Sequence, residues 1–274
     1  MKSSESSPNE GYGSLESVHM SDLDLVINFG QGSSVVYHSV DQLNLVNLSD
    51  KFKLPFPTIT ANVGAGGNCF YHSLAYLLQK SGIVSDPNFS FKECRKAMAD
   101  YVDTIEKANE ILMNVAEQWP ETPNSPMIVK SQKATPATKR LANFAAEWNQ
   151  TIGMDSERIT HVKEIFLNQR IWGEANIVGV AENAFHINIA CLAAFNKKLQ
   201  IERPLSGKLY TLLINSKDNT ASNQVPIWNS RTLILYNHDN YHWTPVMVPN
   251  PKTKAIMFSL SPEDMEKICS IINV

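Results

Sequence analysis

The chain has 274 residues, of which 43% are hydrophobic, and this is enough to bury one sizeable core. Its 24 basic and 27 acidic residues give a net charge of −3, so it lacks the basic excess of a dedicated nucleic-acid-binding protein. No apolar stretch approaches the roughly 18 residues that a transmembrane helix needs. We therefore expect a globular protein without nucleic-acid partners and without insertion into a membrane.

The four cysteines are spread along the chain, and none forms a C-x-x-C pair. Such pairs supply the sulfur ligands of many zinc sites, so we expect no zinc site built on sulfur pairs. We also expect no other metal and no cofactor. Four cysteines are too few for the disulfide framework of so long a chain, which indicates reduced thiols and a cytoplasmic protein. These residues are Cys69, Cys94, Cys191 and Cys269.

The first part of the chain predicts a tail, two strands and a helix. Residues 1–22 are rich in Ser, Glu and Gly without the apolar run of a secretory signal, so we expect a disordered tail. Strands are predicted at Leu25–Phe29 and Ser34–Ser39. After the glycines at 64–67 the apolar spacing becomes helical, and Ser81-Gly82 ends that helix.

A second helix has a clear start, because Ser90 is followed three residues later by Glu93, the pattern of a capping box. Its apolar positions keep a 3.6-residue period from residue 94 to residue 115, so we predict one continuous helix that ends at Trp119-Pro120. The segment 120–138 is rich in Pro, Ser and Thr, which is typical of an exposed loop.

The remainder changes from helices to strands. Helices are predicted at 138–150, 156–170 and 174–185, strands at 186–192, 208–214, 232–236 and 241–248, and a last helix after Ser261-Pro262. Helices first and paired strands later predict an α+β domain, in which helices flank a central, mostly antiparallel sheet.

The segment from Gly64 to Ser73 carries the most chemical information. Its glycines let backbone N–H groups converge on one point, and Cys69 falls in the first turn of the predicted helix. The positive end of a helix dipole favours a thiolate, so we expect a lowered pKa for the Cys69 thiol. Backbone N–H groups of Gly66, Gly67 and Cys69 are the candidates for an oxyanion hole.

The residues from Gly67 to Ser73, GNCFYHS, resemble the cysteine loop of the ovarian-tumour (OTU) family of cysteine proteases, written D-G-N-C-hydrophobic-aromatic-R/H-A/S. One position departs from the family pattern, because the Asp three residues before the cysteine is Gly66 here. In the family that residue helps to shape the oxyanion hole, largely through its backbone. Glycine keeps the N–H group but loses any bracing by a side chain.

The resemblance also implies a base and an orienting residue. OTU enzymes carry their general base as a His-aromatic pair in the C-terminal strand, which His242-Trp243 matches, while His238 in the predicted turn is the alternative. The third member orients the histidine ring. We favour Asn240, which shares a strand face with His242, over Asn62 and Thr244.

Trp172-Gly173, with the helix and strand predicted after it, resembles the OTU segment that lines the approach to the scissile bond. We expect Trp172, Gly173 and Trp243 to line a substrate channel. The roughly 100 residues between Cys69 and Trp172 are more than a compact OTU core has, so we predict a helical insertion at about 85–150. OTU-like effectors of intracellular bacteria carry such insertions, and an effector would be secreted into the host cytosol.

The resemblance as a whole implies a deubiquitinase, with residues 23–274 as the catalytic domain of a monomer that acts on ubiquitin or polyubiquitin chains. Three other interpretations stay open, one of which is a plain interaction protein that neither binds nor cleaves ubiquitin. A papain-like thiol hydrolase with another substrate would share the Cys and His chemistry. A catalytically decayed ubiquitin-binding module would account for the departures at Gly66 and Thr244.

Overall fold

The fold is seen in a computed structural model of the chain. It describes residues 24–29, 33–38, 45–49, 57–64, 66–118, 155–168, 177–195, 198–205, 208–213, 228–238, 242–250, 252–253 and 255–272. Several predictions from the sequence lie outside the described residues: the tail at 1–22, the helix at 138–150, Trp172, Gly173 and Asn240.

Six α-helices are found in the described residues. A 3₁₀ turn, Gly66–Asn68, leads directly into the first of them, as the glycine loop predicts. The helices are α1 (Cys69–Lys80), α2 (Phe91–Tyr101), α3 (Ile105–Gln118), α4 (Asp155–Leu167), α5 (Val178–Phe185) and α6 (Pro262–Ile272).

The strands of the described residues form two sheets. They are β1 (Asp24–Phe29), β2 (Ser33–His38), β3 (Leu45–Asn47), β4 (Ile59–Ala61), β5 (Asn188–Phe195), β6 (Lys198–Leu205), β7 (Lys208–Leu213), β8 (Thr232–His238), β9 (His242–Asn250) and β10 (Ala255–Met257). Strands β1 and β2 pair only with each other, while the large sheet has the order β3-β4-β9-β8-β5-β6-β7, with β10 on β9. Every pairing is antiparallel except β5 with β8. The predicted α+β class with a mostly antiparallel sheet is confirmed.

Strand β9 separates two apolar cores because its side chains alternate between the faces of the sheet. Trp243 and Met247 belong to the larger core, which they share with residues of α1 to α5. Val246 and Val248 belong to the smaller core, which α6 covers. The sheet is therefore covered by helices on both faces, and β9 passes through its middle.

The continuous helix predicted from Ser90 to Trp119 is wrong, because the structure has two helices there. The Ser90 capping box is present, but Val102 leaves the helical region at φ −81° and ψ 73°. A new helix then starts at Ile105, and the Thr104 hydroxyl accepts a hydrogen bond from the Lys107 N–H at 3.4 Å. An apolar stripe can run across such a break, so periodicity alone does not detect it.

The segment predicted as an insertion supplies part of the larger core. Cys94, Met98, Val102, Ala108 and Ile111 are all buried there. Residues 119–150 lie outside the described residues, so the bounds of the insertion stay a prediction. Within the residues that the structure describes, no helix has both the length and the apolar character to cross a membrane.

Candidate active site

Cys69 lies where the N-terminus of α1 meets the start of β9. Its side chain is 4% exposed, and the backbone N–H of Trp243 donates a hydrogen bond to its sulfur over 3.4 Å. The sulfur therefore faces the peptide that joins His242 to Trp243. The cysteine loop and the His-aromatic strand, 174 residues apart in sequence, meet at this point.

Two further contacts fix β9 against α1. The Ser73 hydroxyl, fully buried one helical turn after Cys69, donates to the Trp243 carbonyl oxygen at 3.0 Å. The Phe70 ring packs edge-on against the Trp243 ring, with centroids 5.4 Å apart and planes at 81°. The Trp243 side chain is thus part of the core, and the residue reaches the site through its backbone N–H group.

His242 is the first residue of β9 and is half-buried. It directly precedes Trp243, whose N–H donates to the sulfur. It pairs with His238 across the β8–β9 ladder, and their ring centroids are 5.6 Å apart. Among the described residues no hydrogen bond joins the His242 ring to the Cys69 sulfur. Catalytic hydrogen bonds are often long before substrate binds and tighten only in the complex.

Burial shifts the pKa values of the Cys69 thiol and the His242 ring in opposite directions. It raises the pKa of the Cys69 thiol above its ordinary value, and this outweighs the lowering by the backbone N–H groups of Trp243, Phe70 and Cys69. The lowered thiol pKa expected from the helix dipole is therefore wrong for the substrate-free protein. Burial also lowers the pKa of His242, which keeps its ring neutral near pH 7 and able to accept a proton. Burial thus disfavours the charged form of each group in the substrate-free protein.

Two of the three candidates for the orienting residue have other partners. The Thr244 hydroxyl lies 3.0 Å from Nε2 of His238 and 2.7 Å from the hydroxyl of Thr60. The Asn62 side-chain oxygen accepts a hydrogen bond from the backbone N–H of Gly64, which closes a local turn. Asn240 lies outside the described residues, so its role stays a prediction.

The glycine loop packs closely on the helix that follows it. A Cβ atom on Gly64 would lie 2.5 Å from Cγ of the His72 ring, closer than side chains tolerate. The other side of that ring contacts Phe91, at 4.3 Å between centroids. His72 thus supports the loop, and its position on α1 does not make it a partner for the sulfur.

Arg95 was not predicted as a site residue, although it is 2% exposed and contacts the residue before the cysteine. Its Nε donates to the Asn68 side-chain oxygen at 2.9 Å. The sequence does contain a signal for Arg95, because this residue lies four residues after Phe91 and three before Met98, on the apolar face of α2. An arginine on that face indicates a buried charge with specific partners.

No family model matches the chain, and no curated protein matches it. Solved structures with which it aligns include an OTU deubiquitinase from Wolbachia pipientis wMel, at 11% identity and a TM-score of 0.38, over 77% of this chain and 95% of that one. An OTU domain in complex with ubiquitin aligns at 13% identity and a TM-score of 0.33, over 78% and 84% of the two chains. The h/ceOTUB1–ubiquitin aldehyde–UBC13~Ub structure aligns at 10% identity and a TM-score of 0.31, over 71% and 78%. The chain thus matches structures of OTU deubiquitinase domains at low sequence identity.

Proposed function

We propose that this protein is a thiol-dependent deubiquitinase in which Cys69 is the nucleophile and His242 the general base. The observation that supports the proposal most strongly is the hydrogen bond from the Trp243 N–H to the Cys69 sulfur, since Trp243 directly follows the candidate base in the chain. The GNCFYHS loop, with its resemblance to the OTU family, supplies the substrate class.

In the first half of the reaction the sulfur attacks the carbonyl carbon of the ubiquitin C-terminal glycine. His242 takes the thiol proton as the C–S bond forms, because burial disfavours the charged form of each group before the reaction. The carbonyl oxygen becomes an oxyanion, for which the candidate donors are the N–H groups of Gly66, Gly67 and Cys69.

In the second half the imidazolium of His242 returns its proton to the lysine amine, and the C–N bond breaks to leave a thioester on Cys69. A water molecule then attacks the thioester carbonyl while His242 accepts its proton. The C–S bond breaks, the sulfur regains a proton, and the ubiquitin carboxylate leaves. Every step uses groups of the protein and water, so the proposal requires no metal or cofactor.

The substrate class implies a narrow channel, because only the two glycines that end ubiquitin are small enough to pass over a buried sulfur. Trp172 and Gly173 are the proposed walls of this channel. The partners are ubiquitin or polyubiquitin chains, and one chain of the protein carries the whole proposed site.

The direct test is turnover of ubiquitin that carries a fluorogenic amide at its C-terminus. Cys69→Ala is expected to abolish turnover, and His242→Ala to lower kcat/KM by about 10²- to 10⁴-fold. His186→Asn is a matched control, since His186 is exposed and its φ of 53° suits asparagine. Turnover by Cys69→Ala would remove Cys69 as nucleophile, and near-normal turnover by His242→Ala would move the base to His238.

The other three interpretations differ in ubiquitin binding and in the reactivity of Cys69, which are measured on the same protein. A protein that binds ubiquitin but turns over none of it is a decayed binding module. If the protein neither binds nor cleaves ubiquitin, a Cys69 that reacts with a generic thiol reagent favours a thiol hydrolase with another substrate, and an unreactive Cys69 favours a plain interaction protein.

A further inference from the structure

Arg95 is a buried charge that touches three elements around the candidate nucleophile. Besides its bond to Asn68, its Nη1 donates to the carbonyl oxygens of Phe166 at 2.6 Å and Asn168 at 3.2 Å, at the end of α4. Its guanidinium carbon lies 3.7 Å from the centre of the Tyr71 ring on α1. Burying such a charge is costly unless its donors are satisfied, and an apolar side chain would fill the same space at lower cost. The position therefore calls for a role beyond packing.

Asn68 is the N-cap residue of α1, and asparagine is among the residues preferred at that position. The usual reason is that the side-chain oxygen accepts a hydrogen bond from the N–H of the second or third helical residue, here Phe70 or Tyr71. The Asn68 side chain makes no such bond. Its oxygen accepts from Arg95 instead, 2.9 Å away.

The N–H groups at the start of α1 lie near the sulfur, because Cys69 is the first residue of that helix. The sulfur accepts a hydrogen bond from the Trp243 N–H at 3.4 Å, and the N–H groups of Cys69 and Phe70 also lower the pKa of the thiol against the effect of burial. A side-chain cap on Phe70 would compete for a donor that the developing thiolate needs. Capping the helix and activating the sulfur are therefore alternatives at this N-terminus.

We propose that Arg95 is a positioning residue that draws the Asn68 carboxamide away from the N-terminus of α1, so that the first N–H groups of the helix face the sulfur. The inference rests on the proposed role of Cys69 as nucleophile. Arg95 touches neither the sulfur nor the substrate and acts through Asn68 alone. As a result α1 lacks a side-chain cap, and the Cys69 thiol is more reactive.

The sharpest test compares two substitutions at Asn68. Serine is a good N-cap residue with a side chain shorter than asparagine, whereas alanine cannot cap, so both lose the contact with Arg95 and only serine covers the helix N-terminus. The rate of alkylation of Cys69 by iodoacetamide is measured at one pH near neutrality, with the modified cysteine identified by peptide mass. Asn68→Ser is expected to react at least about threefold more slowly than Asn68→Ala.

Thermal unfolding of the same pair provides the control. The cap should make Asn68→Ser the more stable variant. Because a less stable protein also opens more often and exposes its buried thiols, alkylation of the buried Cys94 and Cys269 is measured in the same samples. Only the rate at Cys69 should differ between the two variants. Equal alkylation rates, or a faster rate for Asn68→Ser, would overturn the proposal.

A second pair tests Arg95 itself. Arg95→Met should slow the alkylation of Cys69, because the released carboxamide can cap Phe70. Adding Asn68→Ala to Arg95→Met should restore the rate, since the competing group is then gone. A double variant as slow as Arg95→Met would mean that Arg95 acts only through packing. If Arg95→Met does not fold, the Asn68 pair decides alone.

These measurements use no ubiquitin, so their outcome is separate from that of the proposed function. Slow alkylation of Asn68→Ser together with no ubiquitin turnover by the wild type would uphold the role of Arg95 and reject the substrate. If the wild type turns over ubiquitin but the two Asn68 variants are alkylated at equal rates, the substrate is supported and the role of Arg95 is rejected.

Discussion

The backbone N–H of Trp243 and the sulfur of Cys69 form the contact from which the site is built. The bond crosses 3.4 Å between the second residue of β9 and the first residue of α1. Since His242 precedes Trp243 directly, the position of the imidazole depends on this strand staying against the helix. Residues that clamp α1 to β9 should therefore affect catalysis without touching substrate.

Ser73 is the first such residue. Ser73→Ala removes the donor to the buried Trp243 carbonyl, so the free energy of unfolding should fall by about 1–3 kcal/mol. We expect kcat to fall more than KM rises, because the reacting groups move apart while the ubiquitin surface is unchanged. Chemical denaturation and steady-state kinetics measure the two effects.

Ser270→Ala is the control for Ser73→Ala. The exposed Ser270 hydroxyl donates only to the Lys267 carbonyl within α6, and its loss should change stability by less than about 0.5 kcal/mol. If Ser73→Ala has the stability and activity of the wild type, the hydrogen bond from Ser73 to Trp243 is not needed to hold α1 against β9.

Gly64→Ala should impair catalysis through the loop before the cysteine. The new methyl group would lie 2.5 Å from the His72 ring, so either the loop or the ring must move. His72→Ala in the same chain removes the ring but keeps its Cβ, 2.8 Å from the new methyl group, so the double variant should recover part of the turnover lost by Gly64→Ala. If the double variant is as slow as Gly64→Ala, the clash is not the cause.

The pH dependence follows from the two burial effects. The pKa of Cys69 is raised, so alkylation of the substrate-free protein should keep rising beyond about pH 8.5, where ordinary thiols are half ionised. The pKa of His242 is lowered, so its neutral form persists as the pH falls through about 6.5, and the acid limb of kcat/KM should lie below that value. A preformed thiolate–imidazolium pair predicts the opposite, with a plateau of alkylation at acid pH.

The orienting residue can be assigned by comparing three variants. The Thr244 hydroxyl is bound to His238 and Thr60, and the Asn62 oxygen to the Gly64 N–H, so neither is aimed at His242. Asn240→Ala should therefore lower kcat/KM more than Thr244→Val or Asn62→Ala does. If kcat/KM falls more in Asn62→Ala than in Asn240→Ala, Asn62 is the residue that orients the His242 ring.

Much of the fold could be predicted from the sequence where a local signal has one physical meaning. The glycines before Cys69 predicted the start of α1, and Ser261-Pro262 predicted the start of α6. These predictions succeed because an N-cap residue, or a proline at the first helical position, acts within a few residues. The apolar runs of β5, β8 and β9 predicted these three strands, which the structure places side by side in the middle of the sheet.

Other features depend on contacts between distant residues and leave little trace in the sequence. Strands β3 and β4 are three residues each, too short for an alternating pattern, and β6 carries a proline and charges. The raised pKa of Cys69 was missed because the helix dipole acts locally, whereas the burial of the thiol depends on a core assembled from elements distant in sequence. Arg95 was missed for the same reason, since its partners lie on other elements.

The central claim is a ubiquitin-directed thiol at Cys69, and a ubiquitin probe with a C-terminal electrophile tests it most directly. Wild type and Cys69→Ala are incubated with the probe and read by intact mass, after circular dichroism has verified that both are folded. The account predicts one ubiquitin adduct on the wild type and none on Cys69→Ala. No adduct on folded wild type, or an equal adduct on both, would contradict it.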